Sequence, residues 1–575
     1  MTTLVAEDLQ GFEITKDLFG VNFLFDSDTI EEGDPYPTAL DNVGVNLIRY
    51  PGGAITEQFF DITDPDKSIA YDILKEEDVE LIPLTDFLSF ASENELAVNI
   101  VIPTKGFFTD QTDDNGDRYA DFNHDELSTF VEDVLAGRYG DATIKSFEIG
   151  NEYWGSGGMS AVEYGRLASE MSEVIDNAIV NVTVAENINF DTDIIVQSGT
   201  NFQHSRLTDD FLETSSGGEI LDALTSNFGV EFGESALWNT GDVNWSHVND
   251  QLIADQFNNS QTMDNVDGVV AHIYSKGSAN QGSRDAFLKQ INENWGDDED
   301  HKDIHITEWN QKSGTNALDA TEDYGLLQAH EILNIVESFA EFDVEAAYAW
   351  PLSQNTRTAL SYRQDDGELS PPGEMFRMMH ENLVGTRPIE LLESNLGETE
   401  QSIGELDAHS FFGNERLVFY FASTSETDST TFVDLSGLLA DFDVGSARRL
   451  GVADGQSSTN SRSDAVVEEL QIDQLYEDGI LDVELGPFEI LEVVFEGTEL
   501  TTEAQEAFGE AGVVLDPVED DVPIIGDLIP IIDYPTIPDD EGTFDEDEDE
   551  DGGMFEGLEM LLLIPLLGAF AMALG

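Results

Sequence analysis

The stretch SFEIGNEYWG, residues 146–155, joins an apolar run typical of a buried β-strand to a glutamate, Glu152. A second stretch, DIHITEWN (303–310), does the same with Glu308. A charged side chain at the end of a buried strand costs several kcal/mol unless it is paired, hydrogen-bonded or functional. Two such strand ends, far apart in the chain, indicate that both glutamates belong to one site.

The pattern around these two stretches predicts an α/β fold. Short apolar runs bounded by turn residues predict eight strands, and most are continuously apolar, as strands covered on both faces are. Helical stretches lie between them, among them 160–179, which follows a serine cap candidate, and 321–342, for which Thr321 is the predicted N-cap. This alternation predicts a (β/α)8 TIM barrel, because a doubly wound sheet would carry a glycine-rich loop after its first strand. The predicted strands are 20–25, 45–50, 97–103, 144–151, 194–199, 268–275, 303–310 and 346–352.

The rest of the chain has a different pattern of apolar and polar residues. From about residue 383 alternating apolar and polar runs predict an appended antiparallel β-sandwich. Residues 1–18 contain a strand-like run that we expect to join this sandwich. The predicted organisation is therefore this N-terminal strand, a barrel at 19–382, a sandwich at 383–498, an acidic linker at 499–552 and an apolar tail at 553–575.

Charge is the most extreme property of the composition. The chain has 23 Lys and Arg against 120 Asp and Glu, a formal net charge of −97. Such a surface repels phosphate backbones and argues against nucleic-acid binding. The simplest interpretation is a solvated acidic surface, typical of a halophilic or marine protein. Because cysteine is absent, disulfides, thiolate metal sites and a cysteine nucleophile are excluded.

The two termini bear on localisation. The N-terminus shows neither a basic start nor an apolar segment, so no Sec-type signal is visible. The C-terminal run MLLLIPLLGAFAMAL (560–574) contains Pro565 and is shorter than the about 20 residues that a transmembrane helix needs. An uncleaved secretion signal, a membrane-surface or sorting segment and a partner-binding strip are all open. We expect an extracellular or cell-surface protein whose tail contacts the membrane or the secretion machinery.

The positions of the two glutamates suit a specific chemistry. In TIM barrels the working residues lie at the C-terminal ends of the strands. Glu152 follows the fourth predicted strand and Glu308 ends the seventh. Cleavage of a glycosidic bond with retention uses two carboxyl groups about 5 to 5.5 Å apart, one as proton donor and one as nucleophile. A barrel mouth can bring the ends of strands four and seven to that separation.

At this point the chain resembles a known group of enzymes. FEIGNEYWG and HITEWN resemble the acid/base and nucleophile motifs of the retaining glycoside hydrolase clan with a (β/α)8 barrel. NLIRYPGGAITEQFFDI (46–62) resembles the second-strand motif of α-L-arabinofuranosidases, and equally that of heparanase-type β-glucuronidases; β-xylosidases are further candidates. The resemblance covers about residues 10–360, and these families share the appended sandwich. It implies a retaining hydrolase of an oligo- or polysaccharide, although a long insertion near 200–265 departs from the pattern.

The resemblance also implies roles for single residues. Glu152 would be the general acid/base and Glu308 the nucleophile of a double displacement. Asn151 would hold the 2-hydroxyl of the sugar, and Arg49 would lie beside Glu308 and favour its charged form. His272 and Tyr274, in the segment AHIYS, match the sixth-strand position from which a tyrosine hydroxyl can reach the nucleophile. The further candidates for substrate binding are Asn22, Lys105, Trp154, Lys276 and Trp350, the last of which could stack on a sugar face.

Basic residues, although scarce, recur just beyond the predicted strand ends. This placement favours an anionic substrate, a uronate or a sulfate ester, but it equally suits neutralisation of acids in the same loops. An inactive carbohydrate-binding or surface-attached barrel protein is the alternative from another class, and a lyase or transglycosylase is a second competitor. The basic residues concerned are Arg49, Lys105, Lys276, Lys312 and Arg357.

One acidic loop raises the question of a metal. Asp113, Asn115, Asp117 and Asp121 alternate within DQTDDNGDRYADFNHDE (110–126). Such oxygen-rich loops hold calcium, but the glycine does not fall where an EF-hand requires it. A structural calcium and a solvated acidic loop both stay open, while retaining hydrolysis itself requires no metal or other cofactor.

Overall fold

Eight parallel strands form a closed barrel in the computed structural model, which describes residues 2–155, 158–199, 211, 215–257, 260–278, 280, 282–297, 300–391 and 401–509. Neighbouring strands follow the order of the chain, and the eighth pairs with the first. The predicted (β/α)8 barrel is confirmed. Its strands are β1 (Gly20–Asn22), β2 (Leu47–Tyr50), β3 (Ala97–Ile102), β4 (Thr143–Ile149), β5 (Asp193–Gln197), β6 (Gly268–Ser275), β7 (Asp303–Gln311) and β8 (Val344–Ala349).

The strands are apolar along their whole length because both of their faces are covered. In β3, five of the six residues are buried, and in β7 every residue after Asp303 is buried. One face points into the barrel and the other packs against the surrounding helices. This double burial is why the sequence shows continuous apolar runs where a one-sided sheet would alternate.

Helices follow the strands and cover the outside of the barrel. Helix 161–186 begins with a capping box between Ser160 and Glu163. The predicted N-cap Thr321 is wrong: its side chain binds Asp319, and the helix begins after Gly325. The helices are α1 (Pro35–Val43), α2 (Ile55–Phe59), α3 (Leu84–Glu93), α4 (His124–Leu135), α5 (Ala161–Glu186), α6 (Gly217–Phe228), α7 (Trp245–Ala254), α8 (Ser260–Asp264), α9 (Gly282–Asn294), α10 (Leu326–Glu341) and α11 (Pro371–Leu383).

Gly325 explains why α10 starts late. Its φ of +64° lies in the left-handed region, and a Cβ there would lie 2.6 Å from the carbonyl oxygen of Ser458 in the second domain. The close approach of this loop therefore sets the start of the helix, and no local sequence signal reports it.

The second domain is a sandwich of mainly antiparallel sheets, as predicted for the fold class. N-terminal strand Ala6–Leu9 pairs with Arg387–Leu391 at the edge of the larger sheet. The larger sheet continues with Leu406–Gly413, Arg416–Ser423, Ile490–Glu496, Val444–Val452 and Ala465–Leu470, and Gln401–Ser402 pairs with its third strand. The smaller sheet contains Thr2–Thr3, Ser429–Asp434, Ile480–Leu485 and Tyr476–Glu477.

The larger sheet is covered on both faces, which joins the two domains. In Arg416–Ser423, Val418 and Tyr420 pack into the barrel core, whereas Phe419 and Phe421 pack into the sandwich core. Successive side chains of a strand point to opposite faces, so this strand contributes to two cores at once.

Ordered structure extends beyond the predicted boundary at residue 498. Glu499–Leu500 pairs with Leu439–Asp441, and the helix Thr502–Phe508 buries Ala504 and Phe508 against the sandwich. The linker predicted from 499 is therefore wrong for 499–508, because these apolar side chains have a core to enter. The tail predicted at 553–575 lies outside the described residues. None of the helices in the described part of the chain is both long and apolar enough to cross a membrane.

Candidate active site

The two glutamates meet at the C-terminal mouth of the barrel. Glu308 lies within β7, and Glu152 stands three residues after the end of β4. The backbone of Glu152 has a φ of +44°, which is strained for a residue with a side chain. Gly150, two residues earlier, has a φ of +77°, and a Cβ there would lie 2.9 Å from Thr104 Oγ1. The turn is thus held in an unusual conformation that aims Glu152 into the mouth.

A histidine joins the two carboxylates. His272 Nδ1 lies 3.2 Å from Glu152 Oε1 and 3.5 Å from Glu308 Oε2. One side-chain atom of each of the three residues lies within 4.8 Å of the others. The side chain of Glu152 is 21% exposed and that of Glu308 7%. The more open glutamate can therefore reach solvent while the deeper one is enclosed.

Two donors fix the carboxylate of Glu308. Arg49 Nη1 donates to Oε1 at 3.0 Å, and the Tyr274 hydroxyl donates to Oε2 at 2.7 Å. Both oxygens are therefore oriented by groups of the protein. Tyr274 thus occupies the position that the sixth-strand motif implied.

Arg49 belongs to a buried network that includes a glutamate missed by the sequence analysis. Its Nε and Nη2 donate to Glu148 at 2.7 and 2.9 Å, and Nη2 also donates to Asn151 Oδ1 at 2.8 Å. Burial alone would lower the pKa of Arg49, but attraction by Glu148 and Glu308 raises it above its ordinary value. Because Arg49 is fully buried and its donors are occupied, it contacts groups of the protein here, and its binding of substrate stays a prediction. It positions the site.

Glu148 is completely buried inside the barrel. It also accepts hydrogen bonds from Asn99, Gln197 and Thr307, at 2.9, 2.9 and 3.0 Å. The sequence does contain a sign of this residue, because Glu148 is a second glutamate within the apolar stretch SFEIGNE. Alternate side chains of a strand point to the same face, and the position of Glu148 in β4 turns its side chain into the barrel. Only the fold shows that Arg49 is its partner.

His272 carries a pKa raised above its ordinary value of 6.5. Burial would lower it, but attraction by Glu308 and the hydrogen bond to Glu152 outweigh that effect. Its Nε2 lies 3.2 Å from Thr307 Oγ1. The two carboxylates therefore favour the protonated form of His272 more than the surroundings of an ordinary histidine do.

Glu57, from α2, is a second residue that sequence reasoning missed. Its buried carboxylate accepts hydrogen bonds from Asn151 N, Thr104 N, Thr104 Oγ1 and Lys105 N. Burial raises the pKa of Glu57, and these four donors oppose the rise. The carboxylate ties the segment after β3 to the turn that carries Glu152.

Asn22 lies beneath the site. Only 2% of it is exposed, and its Nδ2 donates to the carbonyl oxygens of Thr307, Tyr348 and Ala349. Its Oδ1 accepts from Arg49 at 3.0 Å. The amide of Asn22 therefore positions Arg49 and joins β1 to β7 and β8, and its binding of substrate stays a prediction.

Two half-buried tryptophans stand at the mouth. Trp154 contacts His272 edge to face, with ring centroids 6.3 Å apart. Trp350 follows β8 and lies directly over Gly53, where a Cβ would approach its Cη2 to 2.6 Å. Both are placed where an aromatic face can meet a ligand.

The basic residues of the rim are in different environments. Lys105 is exposed, whereas Lys276 and Lys312 are half-buried. The guanidinium of Arg357 lies 5.3 Å from the centre of the Tyr324 ring, so it is engaged in a cation–π contact.

The acidic loop forms a turn of a β-hairpin. Asp113 accepts from the amides of Asn115 and Asp117 and pairs with Arg166. Asp117 Oδ1 accepts from Ser160 at 2.7 Å. Among the described residues, only Glu152, His272 and Glu308 bring three acidic or histidine ligand atoms so close together. Calcium binding by Asp113, Asn115, Asp117 and Asp121 stays a prediction.

The fold and the site define a TIM-barrel protein with paired carboxylates at its mouth, and solved structures share that fold. The α-L-arabinofuranosidase from Thermotoga maritima, solved as an arabinose complex, has 16% identity and a TM-score of 0.55 over 85% of this chain and 98% of its own. The GH51 α-L-arabinofuranosidase from Thermotoga petrophila has 14% identity and a TM-score of 0.56, over 86% and 100%. A family 44 xyloglucanase from Paenibacillus polymyxa has 10% identity and a TM-score of 0.52, over 86% and 100%.

These likenesses confirm the resemblance drawn from the motifs at the level of the fold. Comparisons with models of protein families and with curated protein sequences find no match.

Proposed function

We propose that the protein is a retaining glycoside hydrolase of an oligo- or polysaccharide, with Glu152 as general acid/base and Glu308 as nucleophile. The observation that carries the proposal is the position of these two carboxylates, whose nearest oxygens lie within 4.8 Å at the barrel mouth. This is close to the about 5 to 5.5 Å of retaining pairs and well below the about 6.5 to 9.5 Å of inverting pairs. Two of the structural neighbours are α-L-arabinofuranosidases and one is a xyloglucanase, which agrees with it.

In the first step an oxygen of Glu308 attacks the anomeric carbon. The bond from that carbon to the leaving oxygen breaks, and the proton of Glu152 passes to the leaving oxygen. Arg49 and Tyr274 hold Glu308 in place for the attack. The products are a glycosyl ester of Glu308 and the released alcohol.

In the second step water attacks the same carbon. Glu152, now ionised, removes the proton of the water, and the ester bond to Glu308 breaks. Two inversions leave the configuration unchanged. The greater exposure of Glu152 suits this role, because both the leaving group and the water must reach it.

Two variants and aryl glycosides test the assignment. Replacement Glu308→Gln should abolish hydrolysis of aryl arabinofuranosides, xylosides and glucuronides, because no nucleophile remains. Replacement Glu152→Ala should slow hydrolysis by about 10²- to 10⁴-fold. Added azide should then yield a glycosyl azide of retained configuration, since azide needs no general base.

Undiminished turnover by Glu308→Gln would overturn the assignment. A folded wild-type protein that binds glycans but cleaves none would indicate the inactive carbohydrate-binding alternative. An unsaturated product would identify a lyase, and an extended one a transglycosylase.

We propose further that the substrate is anionic, a uronic or sulfated glycan. The support is the presence of Lys105 and Lys276 just beyond β3 and β6, in a chain with few basic residues. This is tested by comparing the rates of hydrolysis of matched uronic and neutral glycans in the wild type and in the variant Lys276→Ala. Equal rates on both glycans, unchanged in the variant, would contradict it.

Composition supports an extracellular or cell-surface location in a saline medium, with the tail at 553–575 in contact with the membrane or the secretion machinery. Cell fractionation of the full chain and of a chain ending at 552 tests this. A structural calcium at 113–121 would raise the melting temperature on addition of Ca²⁺, and Asp121→Asn should reduce that rise.

A further inference from the structure

A cavity of about 280 Å³ lies beside the candidate active site, between the segments that follow β2 and β3. Glu57 forms part of its wall, and the same carboxylate accepts the hydrogen bond from Asn151 N at 3.0 Å. The cavity and the turn that carries Glu152 therefore share one buried side chain. An oligosaccharide bound at the two glutamates would therefore lie near this cavity.

Two lysines, Lys67 and Lys105, line this cavity. The chain has 120 acidic residues, and Lys75, Lys145 and Lys289 each form an ion pair with one of them. Among the described residues, no carboxylate oxygen lies within 4.0 Å of the ammonium nitrogen of either cavity lysine. Two unpaired ammonium groups at one cavity are unexpected in so acidic a protein.

The acidic residues of the cavity do not neutralise these lysines. Glu57 is occupied by its four donors from the backbone and Thr104. Asp61 accepts from Thr63 N and Oγ1, and Glu126 is exposed in the first turn of α4. The exposed carboxylates can accept hydrogen bonds from sugar hydroxyls.

Aromatic side chains complete the lining. Phe107 and Phe122 have ring centroids 6.0 Å apart, and both are half-buried. Aromatic faces beside polar groups suit the mixed surface of a sugar ring. Ammonium groups add charge-assisted hydrogen bonds for a carboxylate or sulfate.

From this combination we infer that the cavity is a subsite for an anionic sugar of the substrate, bound by Lys67 and Lys105. The inference rests on the proposed glycoside hydrolase function. Glu57 belongs to the cavity wall and accepts from Asn151 N, the residue before Glu152, so we place the sugar bound here next to the one that is cleaved. The substrate thus has at least two sugar residues.

Binding to the inactive full chain, Glu308→Gln, tests the inference without requiring turnover. Two probe pairs differ only in charge: an oligogalacturonate and its methyl ester, and a sulfated galactan oligosaccharide and its desulfated form. Calorimetry in about 1 M salt, where the Debye length is about 3 Å, removes the general repulsion by the acidic chain and leaves contact pairs.

The acidic member of at least one pair should bind more tightly than its neutral partner. Adding Lys67→Gln and Lys105→Gln should weaken it by about tenfold, and should change the neutral partner by less than about twofold. The matched control carries Lys16→Gln and Lys302→Gln, which precede β1 and β7 at the other end of the barrel.

Preference for the acid over the neutral partner in neither pair would overturn the inference, as would an equal loss in the control. Which pair responds distinguishes a uronate from a sulfate ester. Failure of the wild type to hydrolyse any glycan would count against the proposed function alone, because binding is measured separately.

Discussion

Arg49 and Glu148 form a two-point ion pair, at 2.7 and 2.9 Å, that is completely buried beneath the two glutamates of the candidate site. The same guanidinium reaches up to Glu308 and across to Asn151. Glu148 thus sets the position of Arg49. Arg49 in turn orients the carboxylate of Glu308 and the side chain of Asn151, the residue before Glu152.

Replacing Glu148 by Gln should destabilise the protein by about 3 to 5 kcal/mol, because Arg49 loses its buried charge partner. Turnover should fall as well, since Arg49 no longer holds Glu308. Urea unfolding and aryl glycoside kinetics measure the two effects. In the control Glu468→Gln, which breaks a more exposed pair with Arg449 in the second domain, we expect a cost of at most about 1 kcal/mol and no change in turnover. Unchanged stability of Glu148→Gln would contradict the role of the pair.

Replacing Tyr274 by Phe removes the 2.7 Å hydrogen bond to Glu308 Oε2. A hydrogen bond to a charged group is worth about 1.5 to 3 kcal/mol, so kcat/KM should fall by about 10- to 100-fold. Steady-state kinetics measure kcat/KM, and a near-ultraviolet circular dichroism spectrum checks that the variant is folded. Tyr119→Phe, at an exposed tyrosine, serves as the control. Equal activity of both variants would exclude a role for the hydroxyl.

Gly53→Ala should displace Trp350, because the new Cβ would lie 2.6 Å from its ring. Gly33→Ala is a matched control, with a similarly positive φ but no atom within 4 Å of the Cβ. Both variants carry the left-handed backbone cost of about 1 kcal/mol. Only Gly53→Ala should raise KM, by about tenfold if Trp350 contributes a stacking contact. The same KM in both would remove Trp350 from substrate binding.

The raised pKa of His272 predicts a direction for the pH dependence of stability. A base whose pKa is higher in the folded protein stabilises the fold fully below its unfolded value of 6.5. That contribution is lost as the pH rises through the raised folded value. The difference in unfolding free energy between wild type and His272→Gln should therefore shrink with rising pH above 6.5. His124→Gln, at an exposed histidine, is the control; a difference that grows with pH would contradict the assignment.

The local sequence was sufficient to predict the barrel, and the reason is physical. Parallel strands buried on both faces must be continuously apolar, so β1 to β8 appear as runs separated by helical stretches. Glu152 and Glu308 stood out because they interrupt such runs with a charge. Tyr274 was found through its motif.

Long-range contacts decided the rest. Arg49 was expected to bind substrate, yet Glu148, 99 positions away, completes its buried network. Asn22 was a candidate for substrate binding, and in the fold its amide donates to carbonyl groups of β7 and β8. Glu57 receives donors from two segments, one after β3 and one after β4, that meet it only in the folded barrel.

By itself, the sequence determined which segments form strands and helices and which residue types stand at the strand ends, because periodicity and charge are local properties. Which carboxylate meets which cation, which of the two cavity lysines' ammonium groups pair with a carboxylate of the described residues, and how far apart the two glutamates lie were decided by the tertiary structure alone. These are distances between segments far apart in the chain, and barrel closure sets them.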